Sequence, residues 1–217
     1  MLVNELLKEE RFAAYSHLIG SIAALVGSIF LIVISAINKS NVIVAVVYGF
    51  SITFLFIAST LYHALKKEEN EYSIWRILDH IAIFFMIAGT YTPLVYIYLT
   101  GAWRWGIIAA QWALVVLGII FKPFVLNVPR WVETQVYLLM GWMAILPIYQ
   151  FITLMPVTVL ILIFIGGLAF TIGAILHIIN KEIIPSVFSF HDIFHILIIV
   201  GGACHYFAVY IAISASI

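Results

Sequence analysis

The chain has 217 residues, of which 65% are hydrophobic and only 9% are charged, and its mean hydropathy is +1.18. These values exclude a soluble globular domain and indicate an integral membrane protein. The formal net charge is +0, so the composition gives no reason to expect a nucleic-acid partner.

Residues 1–12 mix charged and apolar side chains. The acidic residues, with the long apolar run starting only afterwards, argue against a cleaved signal peptide. We predict a short amphipathic segment lying on the membrane surface over residues 1–12. Residues 13–217 are predicted to form a single membrane domain.

Seven apolar segments follow, each roughly 20 residues long and therefore able to cross a hydrocarbon core of about 30 Å. Their predicted ranges are 15–37, 42–65, 76–99, 103–122, 132–153, 157–179 and 191–214. Three connecting loops are very short, which favours antiparallel packing of the neighbouring segments. The predicted fold is an all-α integral membrane protein, a seven-transmembrane helix bundle.

Lysine and arginine counts predict the orientation of the bundle. The side that holds the N-terminus and the loops after spans 2, 4 and 6 carries eight of these residues, and the other side carries two, Lys39 and Arg104. The N-terminus is therefore predicted to be cytoplasmic and the C-terminus to lie outside.

The titratable groups collect on the predicted cytoplasmic side, which holds all ten carboxylates and six of the seven histidines. His191 and His195 are four residues apart, so a helix presents both imidazoles on one face. His63 ends span 2 and Asp79 opens span 3, at the same predicted depth as this pair. Ser59 lies one helical turn before His63.

Three imidazoles beside a carboxylate are typical of a metal site, and three histidines with one open position are the pattern of catalytic zinc. Zinc lowers the pKa of a bound water to about 7. Asp79 would then act on that water as a hydrogen-bonding group or general base, oriented by Ser59. The residues also allow plainer roles: Asp79 as a carboxylate in the first turn of a helix, Ser59 as a helix-packing residue, and Asp192 as a helix cap.

The pattern Ser59-x3-His63, then Asp79, then His191-x3-His195 resembles the progestin and adipoQ receptor family, in particular its bacterial hemolysin III branch. The resemblance implies a plasma-membrane protein with zinc held by His63, His191 and His195, and with Asp79 reaching the metal through water. In related receptors and alkaline ceramidases, such a site is associated with hydrolysis of lipid amide bonds. The family also tends to have Glu-x2-Asn-x3-His near the N-terminus; here Glu10 and His17 match, but Ala13 replaces the Asn, so Glu10 and His17 are accessory candidates.

Three functions compete. The first is a zinc hydrolase that cleaves an amide or ester bond of a lipid or amphiphile reaching it from the cytoplasmic leaflet. The second is a receptor or sensor with structural zinc, which would need a protein partner to carry its signal. The third is a pore-forming, haemolytic protein, although polar positions that stop halfway across the membrane argue against a conducting path.

Overall fold

The computed structural model describes residues 10–39, 41–68, 70–184 and 188–215. This part of the chain is almost entirely helical. Its α-helices are α1 (Arg11–Ile37), α2 (Val42–Leu65), α3 (Ile74–Tyr98), α4 (Gly101–Phe121), α5 (Arg130–Gly141), α6 (Ile148–Leu154), α7 (Val157–Ile179) and α8 (Phe190–Ala215). Short 3-10 turns at Lys122–Phe124 and Trp142–Ile145, and a hairpin of β1 (Glu182–Ile184) and β2 (Phe188–Ser189), complete it.

Six of these helices are long and apolar enough to cross a membrane. If the bent pair formed by Arg130–Ile145 and Ile148–Leu154 counts as one more span, the number of spans is seven. The predicted all-α membrane bundle is therefore confirmed. Of the predicted surface segment over residues 1–12, residues 1–9 lie outside the described part, and Arg11 and Phe12 open α1.

The fifth span differs from the single helix predicted over 132–153. Residues Arg130–Ile145 and Ile148–Leu154 form two helical pieces bent by 54° relative to each other. Pro147 lies at the bend, immediately before α6. Proline has no N–H to donate and its ring collides with the carbonyl four residues earlier, so a helix tends to break there.

Two side chains from neighbouring helices bind the backbone of this break. The Tyr91 hydroxyl donates to the Gly141 carbonyl oxygen at 2.6 Å and accepts from the Ala144 N–H at 2.6 Å. Gln111 of α4 donates to the Met140 carbonyl oxygen at 3.0 Å. An unpaired backbone group costs several kcal/mol in a membrane interior, and these bonds therefore allow the span to break at this depth.

The helices form a closed circuit of contacts in the order α1, α2, α3, α5, α7, α8 and back to α1, while α4 packs against α3. A cavity of about 1100 Å³ lies within this circuit. Every helix of the circuit contributes to its lining, and among the described residues α4 does not.

Glycines let α7 and α8 approach closely. A Cβ on Gly166 would lie 2.5 Å from the His205 ring, and one on Gly201 would lie 2.7 Å from the Phe170 ring. Small residues at helix contacts are the usual means of close packing in membranes. Close α7–α8 packing holds the start of α8, which carries two of the candidate metal ligands, against the bundle.

Candidate metal centre

Three histidines from two helices meet at one end of the bundle. His63 lies in the last turn of α2, and His191 and His195 lie in the first turns of α8. Each offers one ring nitrogen, and these three nitrogens lie within 4.8 Å of one another. We call the end of the bundle that holds this cluster the histidine end.

The ring geometry fits a shared metal ion. The Nε2 atoms of His191 and His195 are 3.1 Å apart, and a tetrahedral zinc with Zn–N bonds of 2.0–2.1 Å spaces its nitrogen ligands about 3.3 Å apart. His63 and His195 are buried, with exposed fractions of 4% and 1%. An all-imidazole set suits zinc, copper, nickel or iron and leaves one tetrahedral position open.

Glu10, the residue before α1, contacts the Nδ1 atom of His63. Its Oε2 lies 2.5 Å from His63 Nδ1, and its Oε1 accepts from Lys66 Nζ. Burial alone would raise the pKa of the Glu10 carboxyl, but the contacts with His63 and Lys66 outweigh burial and lower that pKa to about 2. Glu10 is therefore a carboxylate at neutral pH.

His17 contacts the Nδ1 atom of His195, on the opposite side of the ring from His191. Its Nε2 lies 2.8 Å from His195 Nδ1, and the two ring centroids are 4.2 Å apart. Within the described part of the chain, the buried Nδ1 of His17 has no hydrogen-bond partner. Ala13 stands at the position where the family described above tends to have Asn. It is fully buried one turn before His17, and its methyl group offers no hydrogen bond to the His17 ring.

Asp79 and Ser59 line the same cavity as the three histidines. Ser59 is buried on α2, and Asp79 is half-buried near the start of α3. Neither makes a direct hydrogen bond to the three imidazoles in the described residues. Both are thus placed on the cavity wall, where a group bound in the cavity can reach them.

Asp192 lies between two candidate ligands and caps α8. Its Oδ2 accepts from the Ser189 N–H at 2.7 Å and from the Ser189 hydroxyl at 2.9 Å, while Ser189 Oγ accepts from the Asp192 N–H at 3.3 Å. These reciprocal bonds are a capping box. They fix the first turn of α8 and with it the direction of the His191 side chain.

The other histidines have separate surroundings. His80 Nδ1 lies 3.0 Å from Glu133, which also pairs with Lys122. The His177 ring lies 5.6 Å from that of His191. His205 Nε2 lies 3.3 Å from the Ile163 carbonyl oxygen, deeper along α8.

Sequence reasoning missed Lys66 and the cluster of His80, Lys122 and Glu133. A sequence signal existed for Lys66, because it follows His63 by three residues and such residues share a helix face. For the second cluster, packing of α3 against α5 and against the 3-10 turn at Lys122–Phe124 brings the members together.

The cavity is most polar at the histidine end and mostly apolar beyond it, where His205, Thr90 and Thr171 are polar exceptions. Its lining on α7 runs from Leu160 to His177, which corresponds to roughly 25 Å along the helix. Far from the histidine end the wall consists of apolar residues such as Leu94, Phe151 and Met155. The cavity therefore has the polarity profile of an amphiphile.

Comparisons with known proteins cover almost the whole chain. A family model described as Haemolysin-III related matches residues 6–206. Hemolysin-3 of Bacillus cereus is 35% identical over 212 residues, which cover 95% of this chain and 93% of that protein. The Hemolysin-3 homolog of Bacillus subtilis (strain 168) is 32% identical over 205 residues, covering 94% and 93%. The human monocyte to macrophage differentiation factor is 26% identical over 204 residues, covering 90% and 81%. The range that the family model matches includes every site residue described above.

Proposed function

We propose that this chain, which belongs to the haemolysin-III-related family of membrane proteins, is a zinc-dependent hydrolase of lipids or other amphiphiles. It is a multi-pass protein of the cell membrane. The observation that carries the proposal is the cluster of His63, His191 and His195 at the polar end of a long apolar cavity.

Each of the three imidazoles would hold the zinc through the one ring nitrogen that faces the other two histidines. When bound, zinc supplies a Lewis acid that polarises a carbonyl and lowers the pKa of water to about 7. The reaction we propose is hydrolysis of an acyl amide or ester. The oxygen of water is added to the acyl carbon, the bond from that carbon to nitrogen or oxygen breaks, and a proton passes to the leaving group.

Asp79 is the group that we assign to proton transfer. Its carboxylate lies on the wall of the cavity and forms no hydrogen bond or ion pair with the described residues. Such a carboxylate can take a proton from water and return it to the leaving amine or alcohol. We assign Ser59 to orienting the substrate carbonyl or Asp79, because its buried side chain lines the same wall.

The apolar part of the cavity would bind the hydrocarbon part of the substrate. Ligand sites are mostly apolar with a few polar groups that fix orientation, and this cavity has its charged groups and most of its histidines at the histidine end. An acyl chain extending away from that end would set the reacting carbonyl beside the three histidines. This polarity supports an amphiphile over a small polar substrate.

Metal content of the detergent-purified protein tests the site. We expect about one zinc per chain in the wild type, by elemental analysis, and loss of that zinc in the double variant His191→Ala/His195→Ala. Thermal unfolding of both proteins shows whether the variant remains folded. A well-folded wild type that binds no zinc would remove the basis of the proposal.

Zinc-loaded protein then tests the reaction. We expect release of fatty acid from a long-chain acyl amide or ester, measured by mass spectrometry. Asp79→Asn should lower the rate by about 10²–10⁴-fold, as for loss of a general base, with its zinc retained. Full zinc without turnover of either lipid class would favour a sensor with structural zinc.

A pore is the weaker alternative. The two bacterial relatives carry the name Hemolysin-3, or Hemolysin-3 homolog, but a conducting path needs polar or charged groups along its whole length. Beyond the histidine end this cavity is lined mostly by apolar side chains such as Leu94, Phe151 and Met155, with only scattered polar residues among those described. Dye release from vesicles by the purified protein, unaffected by His191→Ala/His195→Ala, would support the pore instead.

A further inference from the structure

The first helix and the residue that precedes it each supply a partner to one of the three candidate ligands. Glu10 contacts His63 Nδ1, and His17 contacts His195 Nδ1. We propose that Glu10 and His17 are positioning residues that fix which ring nitrogen of each histidine faces the metal. This inference rests on the proposed zinc site, and it assigns to α1 and its N-cap residue a role in metal affinity.

For His63 the direction of the hydrogen bond follows from chemistry. A carboxylate can only accept, so the Nδ1 atom of His63 carries the proton that it donates to Glu10. In a neutral imidazole the other nitrogen, Nε2, then has a free lone pair. Contact with Glu10 therefore leaves Nε2 as the metal-binding atom, and it holds the ring in place.

Lys66, the residue directly after α2, strengthens this arrangement. Its Nζ donates to the second oxygen of Glu10, so both oxygens of the carboxylate are bound by residues at the end of α2. Glu10, with an exposed fraction of 5%, is thereby held between α1 and α2. Partners of this kind orient metal-bound histidines, and their loss typically weakens metal binding by about 10–100-fold.

For His195 the partner is another imidazole. Its Nε2 lies 3.1 Å from His191 Nε2, on the side of the proposed metal, and its Nδ1 lies 2.8 Å from His17 Nε2. When His195 binds metal through Nε2, its Nδ1 carries the proton and His17 Nε2 accepts it. His17 is thus the acceptor that selects the same ring nitrogen as Glu10 does for His63.

Glu133 provides a matched control because it has the same kinds of partner as Glu10. It pairs with the Nδ1 atom of a histidine, His80, and with the Nζ atom of a lysine, Lys122. Its histidine does not belong to the three-histidine cluster. If carboxylates that pair with a histidine and a lysine serve only stability here, changes at Glu10 and Glu133 should have the same consequences.

The experiment measures zinc affinity of the full chain in detergent by competition with a chelating dye. Glu10→Gln should bind zinc about tenfold more weakly than wild type, and Glu10→Ala up to about 100-fold more weakly, since an amide is a poorer acceptor than a carboxylate. Glu133→Gln should keep wild-type zinc affinity. Thermal unfolding without zinc shows how much each change costs in stability, and if Glu10→Ala does not fold, Glu10→Gln decides.

His17 is tested with a conservative rescue. His17→Leu should weaken zinc binding by about tenfold or more, while His17→Gln, whose amide oxygen can still accept from His195 Nδ1, should recover most of that loss. His205→Gln, on the same helix as His195 but outside the cluster, should leave zinc affinity unchanged.

The outcomes separate this inference from the proposed function. A wild type that binds no zinc refutes the metal site and with it the hydrolase. A wild type that binds zinc, together with folded Glu10→Gln and His17→Leu variants of equal affinity, refutes the positioning role and leaves the metal site standing.

Discussion

At the scale of single residues, Asp192 shows why residue type alone does not assign a role. It lies between His191 and His195, and a carboxylate is a possible zinc ligand. Its Oδ2 instead accepts two hydrogen bonds from Ser189. A negative charge in the first turn is also favourable to the helix dipole, so the described contacts make Asp192 a helix cap, as its sequence position had indicated.

The capping role predicts that two different variants behave alike. Asp192→Ala and Ser189→Ala should each reduce the free energy of unfolding by about 1 kcal/mol, the usual cost of losing a helix cap, and each should still bind one zinc. Thermal unfolding and elemental analysis on the same samples check this. Loss of zinc in Asp192→Ala alone, with the fold retained, would instead make Asp192 part of the metal site.

Some of the site was predictable from residue spacing and some was not. His191-x3-His195 and the depth of His63 follow from helical geometry and from the ends of the apolar segments. The contact of Glu10 with His63 joins residues 53 positions apart, and its geometry depends on how α1 packs on α2. Spacing also says nothing about which ring nitrogen contacts which neighbour, because the contacts of His63 and His195 with Glu10 and His17 join residues far apart in sequence.

At the scale of helices, the break in the fifth span shapes one wall of the cavity. Gly141, Trp142, Ala144 and Ile145 around the break all line it. Non-helical backbone is tolerated at membrane depth only where its polar groups are satisfied or face a cavity. Tyr91 satisfies two of these groups with one hydroxyl, so its hydrogen bonds should contribute to stability.

Tyr91→Phe should therefore lower the free energy of unfolding by about 1–3 kcal/mol, the cost of leaving buried polar groups unpaired. Tyr48→Phe is the matched control, because the buried Tyr48 hydroxyl has no hydrogen-bond partner in the part of the chain that the structure describes. That change should be neutral or stabilising. Thermal unfolding in one detergent compares the two, and equal losses would contradict the role given to Tyr91.

The helices themselves were predictable because length and hydropathy report membrane spans directly. Their ends agree within a few residues for six segments, and the fifth was wrong as one continuous helix. Its apolar length satisfied the criterion for a span, and proline is an ambiguous signal: α3 continues through Pro93, whereas the fifth span breaks at Pro147. The hydrogen-bonding partners on α3 and α4 that accommodate the break are visible only in three dimensions.

At the scale of the whole molecule, the site has a predicted side of the membrane. The histidine end coincides with the side that the lysine and arginine counts predict to be cytoplasmic. Substrate would then reach the cavity from the inner leaflet. The order of helices around the cavity, by contrast, was not predictable, since lipid-facing and protein-facing apolar surfaces have the same composition.

Reporter fusions test this orientation. A green fluorescent protein fused after Ile217 should remain dark if exported unfolded across the membrane, and alkaline phosphatase at the same position should be active, because the C-terminus is predicted to lie outside. Fusions in the loop after α2 should show the opposite pattern. Fluorescence at the C-terminus with inactive phosphatase would place the histidine end on the outer face.

The contact between α1 and α8 has a consequence for biosynthesis. Chains are made and folded from the N-terminus onward, so His63, Glu10 and Lys66 emerge from the ribosome long before His191 and His195. A nascent chain interrupted before the final helix can offer a metal only one of the three imidazoles. If the three histidines hold a metal as proposed, tight binding becomes available only after the last helix has inserted.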